Sequence, residues 1–163
     1  MLLVDEEQIT LEEICQTNLN SYKLITLAAG ETARTKNPNI TTEYVDLASG
    51  FLCEGIPHVV STLWSVESST SALVMIEFYR RLQLNKSPVT ALAEATLWLK
   101  ELTALDLTKW YEDLLNHLDT DELTIKAYLA TYLYRSSKMV PDKKLYNHPY
   151  YWAAYTIKGI ISE

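Results

Sequence analysis

The stretch LITLAAGETAR, residues Leu24 to Arg34, holds residues whose types and position could do chemistry. An apolar run stops at Gly30, and Glu31 and Thr32 follow at once. In α/β proteins the residues that follow a buried strand leave the sheet at the edge where active sites form. The stretch therefore predicts a functional loop, and the question is whether that loop carries a nucleophile.

A second apolar run, His58 to Trp64, ends beside further polar residues. Ser65 stands at the predicted strand end, which is the right place for a site residue, and Glu67 is expected to be a loop carboxylate. No arrangement of a histidine and a carboxylate in the sequence supports a serine triad. Ser65 and Glu67 are therefore candidates for lining a cleft rather than for nucleophilic catalysis.

The cysteines and histidines of the chain do not form an obvious site. Cys15 and Cys53 are too few for a disulfide framework, and we expect both to be buried as small hydrophobes. His58, His117 and His148 stand singly and show no spacing typical of metal ligands. The sequence therefore predicts no metal and no cofactor.

The composition is that of an ordinary globular chain: 163 residues, 48% hydrophobic and 21% charged, with a net charge of −7. We expect one domain over residues 1–163. The negative charge argues against nucleic acid as a partner. No apolar run reaches the length of a membrane span, and the start MLLVDEEQ turns acidic too early for a signal peptide. The expected location is the cytoplasm.

The hydrophobic pattern predicts an α/β fold. The runs KLITLAA and HVVSTLW are typical of strands covered on both faces, as in a parallel sheet, and YYWAAYTIKG indicates a terminal strand. Helices are predicted around ITLEEICQTN, TEYVDLASGFLCEG and TSALVMIEFYRRLQL, and after Ser87 and Pro88. Two further amphipathic helices lie between about Leu105 and Met139. The SVESSTS loop offers Ser and Thr residues as helix caps.

Four ordered blocks of the sequence resemble the CHAT domain, a caspase-like, separase-related cysteine peptidase family. The blocks are ITLAAGETA, EYVDLASGFLCEGIPHVVSTLWSVESSTSALVMIEFYRRL, PVTALAEA and HPYYWAAYTIKG. They resemble the C-terminal half of such a domain. The resemblance implies a partial caspase-hemoglobinase-like fold, with a mostly parallel sheet flanked by helices. The helical pair from about Leu105 to Met139 lies outside these four blocks, where such domains vary, and is expected to be an insertion.

The resemblance also implies that the segment around Gly30 lacks the family's catalytic nucleophile. In the family a strand ends in a motif like L-S-A-C-E-T, whose cysteine is the nucleophile, and Gly30 stands at that position here. The family's histidine precedes the segment that MLLVDEEQITLEEI resembles, so the histidine block is expected to be absent. A glycine has no thiol to ionise, and the thiolate is the nucleophile of a Cys–His pair.

The resulting hypothesis is a catalytically inactive CHAT-like domain that acts through protein association. Glu31, Thr32, Ser65 and Glu67 are its candidate cleft or peptide-binding residues. Glu31 is expected either to bind an arginine or lysine of a partner or to accept backbone N–H bonds and shape the turn. The alternative function is half of a split cysteine peptidase, completed by a chain that supplies the histidine.

The expected partner is a protein or peptide, such as an upstream CHAT fragment or a repeat protein; the resembled family often accompanies repeat arrays, frequently in bacteria. In the resembled fold, further strands lie on one side of the Leu24–Ala28 strand. We therefore expect that strand to have an open edge and the chain to form a homo-oligomer or a hetero-complex.

Overall fold

The structure, a computed structural model, describes residues 11–19, 21–27, 48–118 and 123–159. The chain divides into two compact units. The first comprises Met1–Thr96 together with Ala153–Glu163, and the second comprises Leu97–Trp152. The expectation of one domain over residues 1–163 stays a prediction.

Strands and helices alternate early in the chain, and the later part is mainly helical. In chain order the elements are α1 (Leu11–Gln16), β1 (Leu24–Leu27), α2 (48–53), β2 (His58–Thr62), α3 (Ser68–Gln83), α4 (Pro88–Glu101), α5 (Ala104–His117), α6 (Leu123–Ser137), α7 (Pro149–Trp152) and β3 (Tyr155–Gly159). The predicted α/β class is confirmed, and both helices predicted near 105–139 are present. The terminal MLLV stretch and the loop after β1 lie outside the described residues.

The strands form a small mixed sheet in the order β1-β2-β3. β1 runs parallel to β2, with Leu24 opposite His58 and Leu27 opposite Ser61. β3 runs antiparallel to β2, with Tyr155 opposite Thr62. Among the described strands one pairing of each kind is present, so the expectation of a mostly parallel sheet is wrong.

The direction of β3 follows from the place where the chain enters the sheet. The N–H of Leu63, directly after β2, donates to the carbonyl of Ala154, directly before β3, at 2.7 Å. A chain that arrives at the carboxyl end of β2 can pair with it only by running back towards its amino end. The strand predicted from YYWAAYTIKG is also shorter than expected, because its first residues form α7.

The two parallel strands differ in how deeply they are buried. Val59 and Val60 of β2 are completely buried, as expected for a central strand covered on both faces. In β1 only Leu27 is buried, and the three residues before it are half-buried. The apolar run therefore predicted a strand correctly in both cases, but full coverage is confirmed for β2 alone.

A left-handed turn at Gly55 connects α2 to β2. Gly55 has φ +84°, its N–H donates to the Leu52 carbonyl at 3.1 Å, and the Ile56 N–H donates to the Phe51 carbonyl at 3.2 Å. This pair of bonds is the Schellman motif, in which a glycine ends the helix because it has no Cβ to clash. Ile56 and Phe51 are both buried in one hydrophobic cluster, so the turn delivers the chain into β2 with an apolar anchor.

The two long helices of the first unit begin in different ways. Ser87 caps α4, since its Oγ accepts the Thr90 N–H at 3.2 Å and Pro88 is the first helical residue, as predicted. The residue at the cap position of α3 is Glu67, and no side chain there accepts a helix N–H. The prediction that serine or threonine of SVESSTS caps this helix is therefore wrong; the helix begins at Ser68, two residues earlier than the pattern indicated.

An ion-pair network joins α3 to the start of α4. Arg81 binds the buried Glu77 of its own helix and lies 3.4 Å from Glu94, which Lys86 also contacts at 2.5 Å. The hydrogen bond from Lys86 and the charges of Lys86 and Arg81 lower the pKa of Glu94 below its ordinary value. The network therefore links the end of α3 to the first half of α4.

In the second unit α5 and α6 pack against each other through aromatic rings. The ring of Tyr111 lies between those of Trp110 and Tyr132, at centroid distances of 5.2 and 5.9 Å, and Tyr132 contacts Tyr128 at 4.9 Å. Burial raises the pKa of Tyr111 far above its ordinary value. The aromatic residues that gave these segments their helical pattern therefore form the interface between the two helices.

Candidate functional site

The parallel pairing of β1 and β2 places the carboxyl ends of the two strands at one edge of the sheet. Leu27, the last residue of β1, is opposite Ser61, so both chains leave in the same direction. This is the edge at which α/β proteins bind ligands. The structure describes the loop after β2, whereas Gly30, Glu31 and Thr32, which follow β1 in the sequence, lie outside the described residues.

The loop after β2 presents a mixed apolar and acidic surface, here called the β2–α3 loop (residues 63–67). Leu63 and Trp64 are 43% and 36% exposed, whereas Val66 is 1% exposed and anchors the loop in the core. Ser65 is half-buried and Glu67 is exposed. The same short loop thus carries two partly exposed large apolar side chains and an exposed carboxylate, a combination that suits contact with a peptide.

The Glu67 carboxylate is available for a partner. Glu67 occupies the cap position of α3, but its side chain makes no capping hydrogen bond, and no ion pair to it exists among the described residues. An exposed carboxylate at this position can bind an arginine or lysine side chain by a charge-assisted hydrogen bond. Ser65, by contrast, already has an interaction partner within the protein.

Several hydroxyl groups lie buried close to the same end of β2. Ser61, Thr62, Thr70 and Ser71 are all buried, and the hydroxyl oxygens of Thr70, Ser71 and Tyr155 have no hydrogen-bond partner among the described residues. Burial raises the pKa of Tyr155 to about 12, an effect slightly reduced by the nearby Ser71 hydroxyl. These hydroxyl groups are buried inside the fold and therefore cannot contact a substrate.

His58, the histidine of the first unit, lies at the end of the parallel pair opposite to this edge. His58 is the only histidine in the sequence of the first unit, and it is opposite Leu24 at the amino end of the parallel pair. Three residues of strand, roughly 10 Å, separate it from the carboxyl end. His117 and His148 belong to the second unit, where the His117 Nδ1 lies 3.1 Å from Asp113 Oδ1. The described residues also contain no group of ligands that could hold a metal.

The cysteines are placed differently from the prediction. Cys15 and Cys53 are both exposed thiols, so the expectation that they are buried hydrophobes is wrong. Each belongs to a short helix, α1 or α2, that buries only its apolar residues. In a helix of one or two turns the sequence pattern does not define which neighbouring positions face solvent.

Leu63 and Trp64 are the residues that sequence reasoning missed. Both were assigned to the buried strand, because an apolar run gives no sign of where pairing stops. The available signal is the pair of polar residues that flank Leu63 and Trp64, Thr62 and Ser65, which breaks the apolar pattern. Within the described ranges, no helix is long and apolar enough to cross a membrane.

The family comparison agrees with the resemblance carried by the sequence blocks. The model of the CHAT domain family matches residues 1–160 of this chain. The search of curated proteins found no match, and no solved structure is similar enough to match.

Proposed function

Because this chain belongs to the CHAT domain family, we propose that it is a catalytically inactive, caspase-like domain that binds a protein or peptide partner. The observation that carries the proposal is Gly30, which stands in the loop after β1 where the family's motif has its nucleophilic cysteine. A backbone position without a side chain can supply neither the thiolate nor a substitute nucleophile. The function left to this edge of the sheet is the binding of a partner.

The proposed binding surface combines the two loops at the carboxyl ends of β1 and β2. From the β2–α3 loop come the exposed Leu63 and Trp64, together with the carboxylate of Glu67. Glu31 and Thr32 contribute from the loop after β1, and Ser65 positions the surface. Aromatic anchors beside a charged group are typical of interface centres, where a few residues supply most of the binding energy.

The chemistry of this surface favours a peptide that carries an apolar residue close to an arginine or lysine. The apolar side chain would cover Trp64 and Leu63, and the cation would pair with Glu67. Arginine is the better partner, because its planar guanidinium can donate two parallel hydrogen bonds to one carboxylate. The chain's net charge of −7 also favours a basic partner.

The test uses the full chain and fluorescent peptides with an apolar residue next to arginine, measured by anisotropy. Glu67→Gln should weaken binding by about fivefold, the equivalent of about 1 kcal/mol, and Trp64→Ala should weaken it more. Glu112→Gln removes the same charge from the second unit and is the matched control. A peptide with glutamate in place of arginine should bind poorly to every variant.

A peptidase assay tests the proposed absence of catalytic activity. The same arginine peptides, carried on a fluorogenic leaving group, should be turned over no faster than in buffer. Turnover that an alkylating reagent abolishes would show that a thiol elsewhere in the chain acts as nucleophile. Equal binding by the wild type and by both the Glu67 and the Trp64 variants would refute the proposed binding surface.

A further inference from the structure

The two helices that carry the cysteines share one hydrophobic cluster. Ile14 of α1 is 1% exposed and belongs to the same cluster as Ala48 and Phe51 of α2, with Leu52 packed against it. Cys15 directly follows Ile14, and Cys53 directly follows Leu52. Each cysteine is therefore the neighbour of a residue that contributes to this common packing.

The two thiols also interact electrostatically. Partial desolvation, the Glu54 carboxylate and the charged form of Cys53 raise the pKa of Cys15 above its ordinary value. The packing of Ile14 and Leu52 in one cluster places Cys15 and Cys53, which directly follow them, on neighbouring helices. Both are exposed, so a dissolved reagent can reach them.

A metal site does not account for this pair. Holding an ion would require at least one further suitable ligand, and no such group of three exists in the described parts of the chain. Two exposed thiols on adjacent helices can instead undergo dithiol–disulfide chemistry, which needs only the two sulfur atoms and an oxidant.

We propose that Cys15 and Cys53 form a redox-active dithiol that closes to an intrachain disulfide between α1 and α2. The oxidant class is a small disulfide such as oxidised glutathione. One protein thiolate attacks a sulfur of that disulfide, so that a mixed disulfide forms and one glutathione leaves as a thiolate. The second protein thiolate then attacks the mixed bond and releases the other glutathione.

In this reaction the two protein thiols are oxidised by two electrons and give up two protons. Those protons balance the two glutathione thiolates, so the products are one protein disulfide and two glutathione thiols. The raised pKa of Cys15 keeps its thiolate scarce at neutral pH. We therefore expect the intrachain bond to form about tenfold faster for each pH unit between pH 7 and pH 8.

The disulfide would enclose a segment of the chain that carries part of the proposed binding surface. The segment between Cys15 and Cys53 contains β1 and the loop with Gly30, Glu31 and Thr32. A disulfide would close this segment into a covalent loop, which removes conformational freedom from the unfolded chain. The oxidised protein should therefore unfold at a temperature higher by on the order of 10 °C.

The experiment incubates the full chain with oxidised glutathione at pH 7 and pH 8, quenches it with an alkylating reagent and measures the intact mass. The wild type should lose two mass units and take up neither glutathione nor alkyl group. Cys15→Ser and Cys53→Ser should each retain one glutathione per chain, because the resolving thiol is missing. Circular dichroism of the reduced variants shows that they fold.

Other products would overturn the proposal. Two glutathiones on one wild-type chain would mean that the sulfurs are too far apart to react with each other. Disulfide-linked dimers on a non-reducing gel would mean that the thiols react between chains. Because no peptide is involved, either result leaves the proposed binding function untouched.

Discussion

Thr62, the last residue of β2, is opposite Tyr155, the first residue of β3, at the carboxyl end of the central strand. Tyr155 is held there by the backbone hydrogen bond from Leu63 to Ala154. Its hydroxyl is buried without a hydrogen-bond partner among the described residues, next to the equally buried Ser71. The sheet therefore ends in an ionisable group that the fold keeps neutral.

We predict that stability falls at alkaline pH because of Tyr155. Its pKa is about 12 in the folded chain, against an ordinary value of 10.0. Below pH 10 both states hold the proton and the stabilisation is complete; between pH 10 and 12 only the unfolded state loses it. The free energy of unfolding should fall by about 2 to 3 kcal/mol over that window.

Urea unfolding at pH 9 and pH 11 measures this loss. Tyr155→Phe should make the loss smaller, since the ring stays and the ionisable group is gone. Tyr111, whose pKa is also raised by burial, supplies the comparison in the second unit. Tyr111→Phe should remove only the part of the alkaline loss of stability that Tyr111 causes. An identical pH dependence in the wild type and the Tyr155 variant would contradict the assignment.

We predict that the serines at the starts of α3 and α4 differ in their contribution to stability. Ser87→Ala removes the oxygen that accepts the Thr90 N–H and should cost about 1 kcal/mol. Ser68→Ala is the matched control, because Ser68 is the first residue of α3 and no side chain caps that helix. It should change the free energy of unfolding by less than about 0.5 kcal/mol. Equal losses in chemical unfolding would mean that Ser87 is no cap.

We predict that Gly159 tolerates no side chain. It ends β3 with φ +154°, and an added Cβ would overlap the Pro57 carbonyl oxygen and lie 2.9 Å from His58 Nδ1. Since backbone atoms must move, Gly159→Ala should destabilise the protein by about 2 kcal/mol or more. Gly55→Ala is the comparison, because nothing lies within 4 Å of a Cβ added at this position. Only the positive φ should therefore reduce stability, by about 1 kcal/mol. Similar unfolding midpoints for the two variants would contradict this account.

The features that sequence could predict are those decided by neighbouring residues. Ser87 with Pro88 marks a helix start, and Gly55 marks a helix end, because caps and left-handed turns depend on a few consecutive residues. The β2 strand is equally predictable, since its run HVVSTLW has two β-branched residues directly after His58 and contains no aspartate, glutamate, lysine or arginine. For the candidate site, the same local reasoning expects Ser65 at the strand end and Glu67 in a loop, and both lie in the β2–α3 loop; their role in binding stays a prediction.

The features that sequence could not predict depend on contacts between distant segments. β3 runs antiparallel because Ala154 meets Leu63, about ninety residues earlier in the chain. The exposure of Cys15 depends on which side of α1 meets α2, and a helix of six residues has too short a pattern to decide that. The pattern extends the buried strand to Trp64 for the same reason: only the tertiary structure defines that pairing stops at Thr62.

We predict that Gly30→Cys alone does not restore peptidase activity. The change returns a thiol, but the only histidine of the first unit, His58, lies at the amino end of the parallel pair. A thiol with its ordinary pKa of about 8.5 is mostly protonated at pH 7 and attacks slowly. The measurement is labelling by an arginine-type covalent peptide inhibitor, with Gly30→Ser as control. Rapid labelling of Gly30→Cys that His58→Ala abolishes would show that His58 does act as the base.

The last prediction concerns the outer edge of β1. β1 pairs with β2 on one side, and no strand of the described part of the chain pairs with its other side. An open strand edge presents unpaired N–H and C=O groups that another chain can bind. The isolated protein should therefore self-associate, or bind a fragment that supplies a further strand, as the split-peptidase alternative requires.

Light scattering across a dilution series measures this association. A lysine at a strand edge disfavours pairing, so Leu24→Lys, at the start of β1, should remain monomeric at concentrations where the wild type associates. Leu84→Lys changes the net charge by the same amount at a position that is 71% exposed just after α3, and it should associate like the wild type. The edge would be closed within one chain if the wild type stayed monomeric at every concentration and the Ile25 and Leu27 amides were both strongly protected from exchange. That protection would indicate that a second segment of the same chain already pairs with β1.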